Sequence, residues 1–447
     1  MNKIIKRILS LIAVAALIYA GCRFLTYMLQ DDTASTSRLM MHEFYNQDNI
    51  DYLFVGTSHF VDGIDPVLIF EKTGKKAFSA STPGQTPDTS LVLIKEAAGL
   101  YKIEEIFLEM DYFVASQCAA FKERTELVST YSVSDYLRFS ADKIALLLNA
   151  SSGSHYINSF WPGRRYWEKI TDLNFIDETL QKKSTSKYKN YTSYYANDEM
   201  GKTAEYKGKG HTAYFMRVKD HQFLVRQPSY PIGLEYVSSD CVNYYKEIID
   251  YCEKNQIALT LLSTPASNLL LHYAKNYDEF APFVHDLIES KDIKFIDMNL
   301  LSNDYYPYVQ TNFNDGHHPN VHGGEQISNF VSDYINGSVP NDVFLNSVSE
   351  KLKTSPTDYY GIIFYDDCDK KEREFSLISD VPDYFEYKIE FKPGYSDYRL
   401  IQDYSVNNVF SVPFDWIPNC EFKVSFRRTG VPAEGEEILY LNMEPVY

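Results

Sequence analysis

The body of this 447-residue chain has no block of lysine and arginine, and the formal net charge is −18. Nucleic-acid binding needs a basic surface that neutralises phosphates, so this composition argues against nucleic acid as a partner. Internal repeats and low-complexity tracts are also absent. With 45% hydrophobic and 15% aromatic residues, the composition is that of a folded, non-repetitive protein.

Cysteine is scarce, with six residues in the whole chain, which is too few to define a disulfide framework. No Cys-x-x-Cys pair and no Cys/His metal spacing is present. Cys241 and Cys252 are too far apart along one predicted helix to form a bridge. Cys368 and Cys420 either pair in an oxidising compartment or remain buried thiols.

The first 30 residues differ from the rest, because the basic start MNKIIKR precedes the uncharged run ILSLIAVAALIYAGC. Together with Arg23 and the apolar residues that follow, this gives about the 20 residues that cross a bilayer. Basic residues before the span, and Asp31 and Asp32 after it, predict a single-pass anchor with a cytoplasmic N-terminus and an extracytoplasmic body. A cleaved signal peptide and lipidation of Cys22 are the alternatives.

Strand and helix patterns alternate in two stretches, about 51–115 and 240–337. Short apolar runs such as DYLFVG and IALTLLSTP predict buried strands, and the amphipathic segments between them predict helices. Residues 31–340 are therefore expected to form an α/β domain, a three-layer, flavodoxin-like parallel sheet covered by helices on both faces. An insertion at about 118–235 is expected to be a lid, an acceptor-binding wall or a surface excursion.

The pattern changes again over residues 341–447. Short aromatic and β-branched runs, such as YYGIIFY and CEFKVSFRRTG, are separated by turn residues. This predicts a small C-terminal all-β accessory domain. It contains no recognisable catalytic cluster, so we expect a binding or packing role.

One serine follows a predicted buried strand, in the stretch DYLFVGTSHF. The carboxyl ends of parallel strands form ligand sites, and a helix follows here, so Ser58 is either a helix cap or a nucleophile. Downstream, NDGHHPNVHGGEQ places Asp315 and His318 on one loop after the last strand, at the same sheet edge. A serine nucleophile needs a histidine base, and a carboxylate fixes the tautomer of that histidine.

Two other interpretations of the histidine-rich loop stay open. His317 is the base if the loop turns differently, and His318 with His322 is a candidate metal-binding pair. Beside the serine, His59 is expected to be structural or to support the site indirectly. The leading prediction for this loop includes no metal.

Together the two stretches resemble the SGNH/GDSL hydrolase superfamily. VGTSH is similar to its first block, Gly-Asp-Ser, with Thr57 in place of the aspartate, and DGHHPNVHGGEQIS closely resembles its last block, Asp-x-x-His-Pro-Asn. The resemblance covers about residues 48–115 and 238–337. With the anchor, the chain looks most like bacterial cell-surface proteins related to the D-alanyl-transfer protein of teichoic acid operons, which are commonly associated with membrane-bound O-acyltransferases.

The resemblance implies that Ser58 is the nucleophile, His318 the base and Asp315 its orienting acid. It implies O-acyl or acetyl transfer, or ester hydrolysis, on a cell-surface polysaccharide through an acyl-enzyme, without a metal or cofactor. The expected partners are the polysaccharide or an acylated carrier, and a membrane-bound O-acyltransferase. The alternative is a catalytically inactive surface protein that binds glycan or assists polymer assembly.

The resemblance also implies an oxyanion hole, in which Gly84 takes the place of the family's second-block glycine. The third-block asparagine is missing, because the third strand ends LEMDYF with Asp111 in that region. A carboxylate would repel an oxyanion. Gln85 is the candidate for the missing donor, and without it the hole has two donors.

Overall fold

The central strands form where the apolar runs predict them. The computed structural model describes residues 3–441 except for the segments 117–126, 154, 193–202, 217–222, 227–232, 275, 290, 306–309, 316, 341, 354–359, 368, 380–384, 395, 418–419 and 430–436. Its strands are β1 (Tyr52–Val55), β2 (Ala77–Ser79), β3 (Glu105–Glu109), β4 (Ala204–Gly208), β5 (His211–Tyr214), β6 (Phe223–Arg226), β7 (Ala258–Ser263), β8 (Lys294–Asp297), β9 (Tyr360–Asp367), β10 (Glu372–Ser379), β11 (Phe385–Pro393), β12 (Arg399–Ser405), β13 (Val409–Pro413), β14 (Cys420–Arg428) and β15 (Glu437–Leu441).

Its α-helices lie between and around these strands. They are α1 (Lys3–Leu29), α2 (Thr36–Phe44), α3 (Ser58–Gly63), α4 (Pro66–Thr73), α5 (Pro87–Leu100), α6 (Tyr112–Ser116), α7 (Val128–Ser134), α8 (Ala141–Ala150), α9 (His155–Phe160), α10 (Leu173–Ser184), α11 (Ser186–Lys189), α12 (Ser239–Lys254), α13 (Asn268–Tyr273), α14 (Phe280–Leu287), α15 (Val321–Ile335) and α16 (Val348–Lys353). A 3₁₀ segment, Pro162–Thr171, joins α9 to α10.

A five-stranded parallel sheet in the order β2-β1-β3-β7-β8 forms the centre of the α/β domain. Strand residues alternate between two apolar clusters. Leu53 packs in the cluster that includes α5 and α12, whereas Phe54 packs in the cluster that includes α3, α4 and α15. Alternate side chains of a strand point to opposite faces, so the sheet is covered on both sides. The predicted three-layer α/β fold is confirmed.

Local sequence signals fix the helix that follows the Ser58 region. The Asp65 carboxylate accepts hydrogen bonds from the N–H groups of Val67 and Leu68, Pro66 occupies the first turn, and α4 ends at Gly74 with φ +70°. Each feature is a standard start or stop of a helix. The boundaries of α4 are therefore encoded by local sequence signals.

Close packing of α15 against α3 brings the last loop of the domain to the end of β1. A Cβ atom on Gly324 would lie 2.6 Å from the carbonyl oxygen of Asp62, so only glycine allows this approach. The side chain of Asn320 accepts hydrogen bonds from the N–H groups of His322 and Gly323 and caps α15. The loop before α15 is therefore held beside the start of α3.

The insertion contains α7 to α11, the β4–β5 hairpin and β6. Strand β6 pairs in parallel with β9 and so joins a sheet of the C-terminal region, whose order is β13-β10-β9-β6. The second sheet of that region is antiparallel, in the order β12-β11-β14-β15. The predicted all-β C-terminal region is confirmed, and it includes one strand from the insertion.

The cysteines that the structure describes form no disulfide bond with one another. Cys241 and Cys252 are both buried on α12, and Cys420 is partly buried. Cys368 lies outside the described residues, so its pairing with Cys420 stays a prediction. Helix α1 is long and apolar enough to cross a membrane, and the same properties are found in signal sequences.

Candidate active site

Ser58 is the first residue of α3, directly beyond the end of β1. Thr57 occupies the N-cap position without a side-chain capping bond. The Ser58 hydroxyl lies 2.8 Å from Nε2 of His318, which is 260 positions further along the chain. The serine therefore contacts a histidine and does not cap the helix with its hydroxyl. The first N–H groups of a helix have no intrahelical acceptor, so those of Ser58 and His59 are suited to an anion.

The loop before α15 supplies the histidine and its carboxylate. Nδ1 of His318 lies 2.8 Å from Oδ2 of Asp315. The other oxygen of Asp315 accepts hydrogen bonds from the backbone N–H groups of His317, at 2.9 Å, and His318, at 2.8 Å. Burial acts to raise the pKa of Asp315, but the hydrogen bond from His318 and the charges of both histidines lower it below its ordinary value. The structure thus brings Ser58, His318 and Asp315 into one chain of contacts, in which His317 does not take the place of His318.

A cavity of about 200 Å³ opens beside the serine. Pockets that bind drug-sized ligands have volumes of about 300–1,000 Å³, so this smaller cavity suits a small group. The residues that line it include Ser58, His59, Gly84, Phe113 and Tyr245. The cavity can receive a short acyl group next to the serine hydroxyl.

The loop after β2 carries the two residues predicted for the oxyanion hole, and both line the cavity. Gly84 has φ +64°, a left-handed conformation that favours glycine. The amide nitrogen of Gln85 donates to the carbonyl oxygen of Ala80, at 3.2 Å, and to the hydroxyl of Ser90, at 3.1 Å. Both amide hydrogens of Gln85 therefore have acceptors within the protein, and the side chain holds the loop that presents Gly84.

The carboxylate of Asp111 does not line the cavity. It is fully buried and accepts hydrogen bonds from the N–H groups of Phe113 and Val114, which begin α6. The hydroxyl of Ser263 lies 3.3 Å from its second oxygen. Asp111 therefore organises the start of α6, whose residues Phe113 and Val114 line the cavity, and its own carboxylate is not part of the cavity lining.

Sequence reasoning missed a second histidine–carboxylate pair, His59 with Glu109. Nδ1 of His59 lies 3.1 Å from Oε1 of Glu109, and both residues are buried. Thr57 donates its backbone N–H and its hydroxyl to the same carboxylate. A Cβ atom on Gly56 would clash with the carboxylate of Glu109 and lie 2.7 Å from its Cβ atom, so a larger residue there would displace Glu109. The signals available in the sequence were a glutamate ending an apolar strand and a histidine next to the serine.

The second pair is expected to hold a positive charge. Burial disfavours the imidazolium of His59, but the hydrogen bond to Glu109 and the negative charges around it raise the pKa of His59 to about 9. Nδ1 is occupied by Glu109, while the ring lines the cavity and lies 5.2 Å, centroid to centroid, from the ring of His318. The raised pKa favours a positively charged His59 next to the serine.

Three of the histidines could also hold a metal ion. Nitrogen atoms of His59, His317 and His318 lie within 4.8 Å of one another, and His322 is not part of this group. Both ring nitrogens of His318 already contact Ser58 and Asp315. A metal bound here would therefore compete with the contact between the serine and the histidine.

Comparisons with known proteins add little to this geometry. No protein family and no curated protein matches the chain. Two similar solved structures are a Streptococcus pneumonia protein provisionally named platelet activating factor and a Bacteroides fragilis protein provisionally named acylhydrolase. Both are 12% identical with a TM-score of 0.30; the first match covers 72% of this chain and 99% of the other, the second 67% and 94%. At this level of similarity the two structures say nothing about the function of this chain. Its function is therefore inferred from the site itself.

Proposed function

We propose that this chain is a serine-dependent acyl-transfer enzyme of the SGNH/GDSL hydrolase type. The observation that carries the proposal is the contact chain from Ser58 through His318 to Asp315, with both distances 2.8 Å. It begins at the carboxyl end of a central parallel strand and faces a small cavity. A serine, its base and an orienting carboxylate in this order are the parts of a nucleophilic triad.

In the proposed reaction, the hydroxyl of Ser58 attacks the carbonyl carbon of an acyl ester while Nε2 of His318 takes its proton. The negative charge of the tetrahedral intermediate falls on the former carbonyl oxygen. Donors for that oxygen are the backbone N–H groups of Ser58 and Gly84, and the cation of His59 adds a positive charge from the cavity wall. Collapse expels the alcohol, which receives the proton from His318, and leaves an acyl group on Ser58.

The second half of the reaction decides between transfer and hydrolysis. His318 removes a proton from a sugar hydroxyl or from water, and that oxygen attacks the acyl-enzyme. We propose a cell-surface polysaccharide as acceptor, an acylated carrier as donor, and a membrane-bound O-acyltransferase as partner. In this proposal α1 anchors the chain with its N-terminus in the cytoplasm, so that the site faces the outside of the cell.

Labelling with a fluorophosphonate probe tests the proposal on the full-length chain in detergent. The probe reacts with activated serine hydroxyls, so the wild type is expected to be labelled and Ser58→Ala to remain unlabelled. Ser129→Ala is a matched control, because Ser129 lies near Gly84 without taking part in the triad. Equal labelling of wild type and Ser58→Ala would refute the serine mechanism. Release of acyl groups that increases with added glycan then distinguishes transfer from hydrolysis.

A further inference from the structure

The extracytoplasmic end of α1 is packed against the insertion and does not stand free. The ammonium group of Lys183, which is buried, donates a 2.9 Å hydrogen bond to the carbonyl oxygen of Tyr27. The indole N–H of Trp161 donates to the carbonyl oxygen of Cys22 at 3.2 Å. The insertion therefore holds the last turns of the anchor helix in a fixed position.

An open groove lies between these turns of α1 and the insertion, and we call it the anchor groove. Its lining includes Tyr19, Arg23, Phe139, Lys143, Phe160 and Trp161. Phe139 is 86% exposed and Phe160 is 49% exposed. These large, exposed apolar side chains are continuous with the exposed apolar surface of α1. Such a surface is typical of a lipid contact.

The charges in the anchor groove are predominantly positive. Arg23 and Lys143 both line it, and Arg23 makes no ion pair with any residue that the structure describes. Burial lowers the pKa of Lys143, the charge of Asp135 acts to raise it, and the charge of Arg23 lowers it further, so the two cations are close enough to interact. The carboxylate in the groove, Asp135, is already paired with Arg165. An anion between Arg23 and Lys143 would relieve their repulsion.

The position of the groove along α1 matches the membrane surface. From Arg7 to Arg23 the helix rises about 24 Å, at about 1.5 Å per residue, and basic side chains at both ends reach toward the headgroups. Arg23 therefore lies at the level of the outer headgroups if α1 spans the bilayer. Tyr19 and Trp161 belong to the residue types that concentrate in this zone.

We propose that the anchor groove binds an anionic phospholipid of the outer leaflet, with its phosphate between Arg23 and Lys143 and its acyl chains against Phe139 and Phe160. This proposal depends on the proposed membrane anchoring by α1 and is independent of the chemistry at Ser58. The bound lipid would fix the orientation of the insertion on the membrane. It would thereby also fix the direction in which the catalytic cavity faces.

The test is titration of the full-length, delipidated protein in neutral detergent with a short-chain phosphatidylglycerol, followed by tryptophan fluorescence, since Trp161 lines the groove. Each basic residue near the membrane surface contributes about 1 kcal/mol, which is about fivefold in affinity. We expect Arg23→Gln and Lys143→Gln each to weaken binding about fivefold, and the double variant about 25-fold. Phe139→Ser is expected to weaken binding without loss of stability, because Phe139 is so exposed.

Arg164→Gln is the matched control, because Arg164 is exposed near Trp161 but does not line the groove. It should bind the lipid like the wild type. The proposal is overturned if the double variant binds as well as the wild type, if a short-chain phosphatidylcholine binds equally well, or if inorganic phosphate alone competes as strongly as the lipid. Thermal melting confirms that each variant is folded, and fluorophosphonate labelling of Ser58 reports separately on the proposed catalytic function.

Discussion

Two histidine–carboxylate pairs lie close to Ser58, and they differ mainly in burial. His318 and Asp315 are on a loop with side chains 22% and 47% exposed, whereas His59 and Glu109 are 8% and 2% exposed. The first pair points a ring nitrogen at the serine hydroxyl, as a general base requires. The second pair is buried, and its carboxylate also accepts two hydrogen bonds from Thr57.

The comparison shows how one pair of residue types can have two functions. At a solvent-accessible loop the histidine can gain and lose a proton during each cycle. In the interior, an ion pair with a fully hydrogen-bonded carboxylate keeps the proton on the histidine over a wide pH range. In the proposed function, His318 therefore transfers the proton and His59 provides a lasting positive charge.

The largest expected effect comes from breaking the exposed pair with Asp315→Asn. An amide in place of the carboxylate favours the wrong tautomer of His318 and cannot stabilise its cation. We expect the rate of ester hydrolysis to fall about 10⁴-fold. The measurement is turnover of an activated ester by the full-length protein. Activity within tenfold of the wild type would show that the pair doesn't act as base and orienting acid.

Breaking the buried pair with Glu109→Gln should have a smaller effect on the rate and a larger one on stability. Loss of the His59 cation removes one source of oxyanion stabilisation, worth about 10²–10³ in rate. Removing one partner of a buried ion pair costs about 3–5 kcal/mol in the free energy of unfolding. Kinetics and chemical denaturation measure the two effects.

The variant His59→Gln is the companion to Glu109→Gln. It removes the cation, and the buried carboxylate of Glu109 then needs no counter-ion only if it becomes protonated. It should lower the rate as much as Glu109→Gln does. If either variant keeps the wild-type rate while losing stability, His59 has a structural role only.

Stability should also depend on pH through the buried pair. The pKa of His59 is raised from 6.5 to about 9 on folding, so the folded state binds the proton more tightly. The resulting stabilisation is fully present below pH 6.5 and is lost as the pH rises through about 9. At about 1.36 kcal/mol per pKa unit this amounts to about 3 kcal/mol. Denaturation at a series of pH values measures the decline, which should be absent in His59→Gln.

Zinc offers the mildest test, because a metal held here would have to bind a residue of each pair. Zn²⁺ needs neutral imidazole nitrogens, and His59 is expected to keep a proton on both ring nitrogens at neutral pH. We therefore expect zinc to leave fluorophosphonate labelling unchanged. Inhibition of labelling that a chelator reverses and that His317→Gln abolishes would show that the three histidines bind the metal and that His59 is not a fixed cation.

Much of the α/β domain could be predicted because its signals are local. Apolar runs fixed the strands, and residues such as Asp65 and Gly74 fixed the helix boundaries. The contact between Ser58 and His318 spans 260 positions. It was still predictable, because both follow parallel strands whose carboxyl ends meet at one edge.

The remaining features depend on tertiary contacts that no local pattern encodes. Glu109 ends an apolar strand, and its burial is explained only by its contacts with His59 and Thr57 in the folded chain. Strand β6 belongs to the insertion yet pairs with β9, more than a hundred residues later. Gln85 was predicted as an oxyanion donor from its position, but its amide hydrogens already have acceptors, which only the folded loop reveals.

An NMR titration of the histidine ring nitrogens in the full-length protein tests the central claim most directly, with the His59 signals assigned from the His59→Gln variant. The claim is that the buried pair holds a cation beside the serine. It predicts that His59 keeps both ring protons at neutral pH and loses one only near pH 9. Titration of His59 at or below its ordinary value of 6.5 would contradict the claim.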